Sequence, residues 1–185
     1  MQWASSCAAV AEIAENRCDN TQGISLIGWM FDPDLDPAIA CYHEAGHAYL
    51  AHRLGGRVVT VTIEHEDGGV MGRTTVHWRD GDAAERRRRS ALVALAGPVA
   101  EALWRGELDS LRELTAWRAD FREVQQALRA EGSPAVQAAQ LQRWLARVRQ
   151  ELDDPDGWER LCRIADQLEA HGTLDEDLLG DVLAG

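Results

Sequence analysis

The sequence predicts an α+β domain built mainly of helices, with a small β-sheet or hairpin beside one of them. Three observations predict it. Apolar residues recur at helical spacing through most of the chain beyond residue 36. Two β-branched runs, 57–64 and 70–78, flank Glu66-Asp67-Gly68-Gly69 and read as paired strands. The length of 185 residues supports one domain with a sizeable core and a short appended segment.

Taken in order, residues 1–35 read as an N-terminal extension of unassigned role. It holds a short helix near 4–15, a loop at 20–23 and an apolar run at 24–31, either a strand or a packed segment. Residues 36–185 form the main domain. Asp36-Pro37 starts a helix, with an acceptor at the cap and proline at the first position. Gly55-Gly56 stops it. The two strands follow, and Gly72 inside the second marks a bulge or a close approach to another backbone. Residues 82–105 are helical in period, with Pro98 expected to kink or split the helix at Gly97. Helices follow at 117–130, 135–152 and 158–169, with a loop at 153–157. Thr173 and Glu176 read as the capping box of a last short helix.

Charge narrows the function. A formal net charge of −12 disfavours nucleic acid and anionic membranes as partners. The run Arg86-Arg87-Arg88-Arg89 spreads around a helix and reads as a solvated face with one buried stem. No run approaches a transmembrane span and no signal peptide is visible. Cys7, Cys18, Cys41 and Cys162 lack C-x-x-C spacing, so reduced thiols in a cytoplasmic protein are expected.

The chemistry lies in His43-Glu44-Ala45-Gly46-His47, an H-E-x-x-H pattern. Positions four apart stack on one helix face, so both imidazoles can point at one zinc ion. Glu44 is then placed to act as a general base on water. Ile39, Tyr42, His43, Gly46, His47, Leu50 and Leu54 share the inward stripe, where an unpaired imidazole would be costly. A catalytic zinc takes three protein ligands. His52, His65, His77, Glu101 and Asp120 are candidates for the third by type, although His52 is turned off the ligand face.

Four blocks, in order, resemble the peptidase domain of the FtsH-type AAA+ zinc proteases. These are Tyr42-His43-Glu44-Ala45-Gly46-His47-Ala48, the strand pair at 58–63 and 68–74, Leu95-Ala96-Gly97-Pro98-Val99-Ala100-Glu101, and the helix start at Asp120. The sequence departs from the family at Pro98, where an Arg is usual, and at Ala119, where an Asn is usual. The resemblance implies a zincin-like metalloprotease domain with Zn2+ held by His43, His47 and Asp120. Glu101 becomes a supporting residue or the alternative ligand. No Walker A sequence, ATPase domain or membrane segment accompanies the domain.

The expected activity is zinc-dependent hydrolysis of peptides or of unfolded and exposed protein segments. Val70, Met71, Gly72, Arg73 and Thr74 form the expected edge on which an extended peptide pairs. A homo-oligomer and a separate ATPase partner remain open. So does the alternative of a catalytically idle, zinc-bound interaction module.

Overall fold

The computed structural model describes residues 37–64, 70–107 and 118–184. The expected elements before residue 37, together with His65, Cys7 and Cys18, lie outside them. The order is α1 (Pro37–Arg53), β1 (Gly56–Glu64), β2 (Val70–Trp78), α2 (Ala83–Arg105), α3 (Arg118–Leu128), a 3-10 turn (Arg129–Glu131), α4 (Pro134–Leu152), α5 (Pro155–His171), β3 (Thr173–Asp175) and α6 (Glu176–Ala184). The fold is α+β and mainly helical, with a small antiparallel sheet.

α1 lies at the centre, against α2, α5 and the sheet. Its residues 43–51 are buried without interruption, so the helix is enclosed nearly all round rather than along one stripe. Small side chains permit this: Ala45, Ala48 and Ala51 are fully buried. α2 supplies Leu92, Leu95 and Val99 to the same core, and β1 supplies Val61. Each such aliphatic chain contributes about 1.5–3 kcal/mol by leaving water.

The sheet order is β2-β1-β3, so among the described residues β2 is an edge strand. β1 and β2 form the expected hairpin. The register slips between Thr62, opposite Arg73, and Glu64, opposite Val70. Three residues of β2 therefore span two of β1, which is a bulge at Met71-Gly72.

Three expectations about element ends need correction. α2 is not split at Gly97 but continues through Pro98. Residues 91–102 are all buried, and their packing outweighs the ladder bond that proline removes, a loss of about 3 kcal/mol in an exposed helix. Thr173 is not a helix cap. It begins β3, where Leu174 is fully buried opposite Val61 and the Thr173 hydroxyl lies 2.6 Å from that of Thr62. Asp175 caps α6 instead, accepting from the Leu178 N–H at 3.0 Å. Finally, α5 starts inside the expected loop, because Asp154 accepts from Gly157 N–H at 3.2 Å and Pro155 opens the first turn.

The arginine run is largely solvated. Arg88 and Arg89 both pair with Glu85, and Arg89 also reaches Asp80 at 2.8 Å and lies over the Trp78 ring. Cys41 is buried and Cys162 half-buried. No helix among the described residues is long and apolar enough to cross a membrane.

Candidate metal centre

α1 presents His43 and His47 toward α2 and α3, and Glu44 toward β2. All three are buried. One ligand atom from each lies within 4.8 Å of the others, a group that could hold a metal ion. A fourth residue joins from α3: Asp120 Oδ2 stands 3.2 Å from His43 Nε2, and Oδ1 stands 3.5 Å from His47 Nε2. The two Nε2 atoms are 3.0 Å apart.

The proton positions follow from the outer partners. His47 Nδ1 is 2.7 Å from the carbonyl of Val93, which can only accept, so Nδ1 carries the hydrogen. His43 Nδ1 faces Glu101 Oε2 at 3.6 Å. Glu101 pairs in turn with Arg105 at 2.7 Å. In neutral His47 the lone pair is therefore on Nε2, facing His43 Nε2 and Asp120. The two Nε2 atoms and the Asp120 carboxylate converge, and a cation or shared protons can satisfy such a set.

The spacing fits a metal. Ligands about 2.0–2.1 Å from a tetrahedral ion lie about 3.3 Å from one another. The observed separations are 3.0, 3.2 and 3.5 Å. The residues present thus fit the metal that the motif implies.

Burial works against charge on His43 and His47, yet the hydrogen bonds and charge of Asp120 outweigh it and raise both imidazoles. Burial likewise opposes charge on Asp120, and the two imidazoles still hold its carboxyl far below the usual range. Glu44 moves the other way, raised chiefly by burial.

Glu44 and Asp120 thus compete for the third position beside the imidazoles. Their surroundings separate them. Thr74 Oγ1 donates to Glu44 Oε2 at 2.7 Å, drawing that carboxylate toward β2. Asp120 instead spans both Nε2 atoms. Its side chain is 17% exposed, against 8% for His47.

The other sequence candidates fall elsewhere. Glu101 sits behind His43, on the ring edge away from the cluster. His52 and His77 are exposed. Along the expected peptide edge, Arg73 is exposed, whereas Thr74 is buried and turned to Glu44. The side chains of Val70 and Met71 lie outside the described residues. Gly72 does make a close approach, but to a side chain rather than a backbone: a Cβ there would lie 2.0 Å from Glu44 Oε1.

Two contributors were missed in the sequence. Val93 acts through its carbonyl, which no side-chain pattern reveals. Gly97 lies against both imidazoles, and a Cβ there would be 2.6 Å from each Nε2. The signal for Gly97 was present, since a glycine in a buried helical run carries a cost that close packing explains.

No family model matches the chain, and no curated protein matches its sequence.

Proposed function

We propose that the chain is a zinc-dependent metallopeptidase with a zincin-like domain of the FtsH type, cleaving peptides and unfolded or exposed protein segments. The observation that carries this reading is the convergence of His43 Nε2, His47 Nε2 and the Asp120 carboxylate, with Glu44 beside them. A purely structural metal site has no use for an additional buried carboxylate at its edge.

His43, His47 and Asp120 would hold the zinc. When bound, it supplies Lewis-acid charge for water and the scissile carbonyl. Glu44 would take a proton from the attacking water at its carboxylate and return it to the departing amine nitrogen. Burial raises the proton affinity of Glu44, which makes it a stronger base than a solvated glutamate. Val93 would keep His47 in the tautomer with the lone pair on Nε2, and Glu101 stands behind His43 Nδ1. The exposed edge of β2 offers main-chain groups to an extended substrate.

The test is metal stoichiometry with cleavage of a quenched-fluorescence peptide library, with and without a chelator. One zinc per chain and chelator-sensitive cleavage are expected. Full zinc occupancy with no cleavage of any peptide would contradict the enzymatic reading.

A further inference from the structure

We propose that Thr74 and Gly72 are positioning residues for Glu44, together setting where its two carboxylate oxygens stand. The inference rests on the peptidase reading above and deepens it. Thr74 and Gly72 are two apart on β2, so they share the strand face turned to α1. Their contributions are complementary. Thr74 Oγ1 donates to Oε2 at 2.7 Å. Gly72 leaves the space that Oε1 occupies: a Cβ at Gly72 would lie 2.0 Å from Oε1, 2.6 Å from Cδ and 2.7 Å from Cγ. One residue is a hydrogen-bond donor and the other is a slot.

The physical need is clear. Glu44 is 3% exposed, so water cannot replace a lost donor. A glutamate has three rotatable bonds, and fixing them costs side-chain entropy that the slot and the hydroxyl offset. The Thr74 hydroxyl also lies 3.4 Å from the backbone carbonyl of Glu44. Thr74 is itself only 8% exposed, so its hydroxyl serves Glu44 and not the substrate. The bulge at Met71-Gly72 lies at this same point of the strand.

The experiment uses the full-length, zinc-loaded chain in four forms: the parent, Thr74→Val, Thr74→Ser and Gly72→Ala. On a cleavable peptide, Thr74→Val and Gly72→Ala are expected to lower kcat at least about tenfold with KM within about twofold, because the loss falls on the chemical step. Zinc content should stay at the parent level, and Thr74→Ser should recover most of kcat. A second readout needs no activity: Tm for Thr74→Val, Glu44→Ala and the double variant. The drop caused by Thr74→Val should shrink once Glu44 is gone. Parental kcat in Thr74→Val, or additive Tm shifts, would overturn the positioning role while leaving the peptidase reading intact. Coupled Tm shifts in a chain that cleaves nothing would overturn both, leaving a contact that is only structural.

Discussion

The Nε2 atoms of His43 and His47 stand 3.0 Å apart, each within 3.5 Å of an Asp120 carboxylate oxygen. A cation among these atoms, or protons shared between them, offsets the repulsion of lone pairs and carboxylate at this distance.

Zinc should therefore stabilise the fold. At free zinc 1,000 times its dissociation constant, binding adds about 4 kcal/mol, which raises Tm on the order of 10 °C for a chain of this size. Differential scanning calorimetry with and without chelator checks this. His47→Ala should remove the zinc-dependent rise.

Asp120 and Glu101 should separate in metal affinity. Asp120→Ala removes the proposed third ligand, and chelator competition should show a loss of more than about 100-fold. Glu101→Gln removes only the carboxylate behind His43 Nδ1, so a smaller loss of about 10- to 100-fold is expected. The opposite order would make Glu101 the ligand.

Gly97→Ala should damage the site from the α2 side. The added methyl would lie 2.6 Å from both Nε2 atoms. Overpacking of this kind costs about 1–3 kcal/mol, and zinc affinity should fall with it. Ala96→Gly, one position earlier on the same buried helix, should lose stability without displacing the imidazoles.

The placement of the pair on one helix was legible in the sequence, because four-residue spacing alone puts His43 above His47. The hairpin was legible too, from β-branched runs around a glycine-rich turn. Asp120 was not: as a carboxylate near a helix start it looked ordinary, and only the family resemblance singled it out. The Val93 carbonyl was hidden, and Thr74 was singled out only as part of a peptide edge, because both contacts come from the tertiary approach of α2 or β2 to α1. β3 escaped because three residues carry no period, and its signal is the burial of Leu174 against β1.

Acid should weaken a contact far from the site. Glu85 accepts from Arg88 and Arg89, and these hydrogen bonds lower its carboxyl from 4.5 to about 2. A depressed folded-state value means the stabilisation is present above 4.5 and is lost as pH falls toward 2. The group is near the surface, so the expected effect is below about 1 kcal/mol. Urea unfolding of Glu85→Gln should show a small deficit at neutral pH that closes across this acidic window.

The most direct test of the proposed peptidase is Glu44→Gln, loaded with zinc and compared with the parent on unfolded casein. The amide can still accept from Thr74 but cannot take a proton from water. The account predicts parental zinc content and a loss of cleavage of about 100-fold or more. Cleavage at the parental rate by the zinc-loaded variant would contradict it.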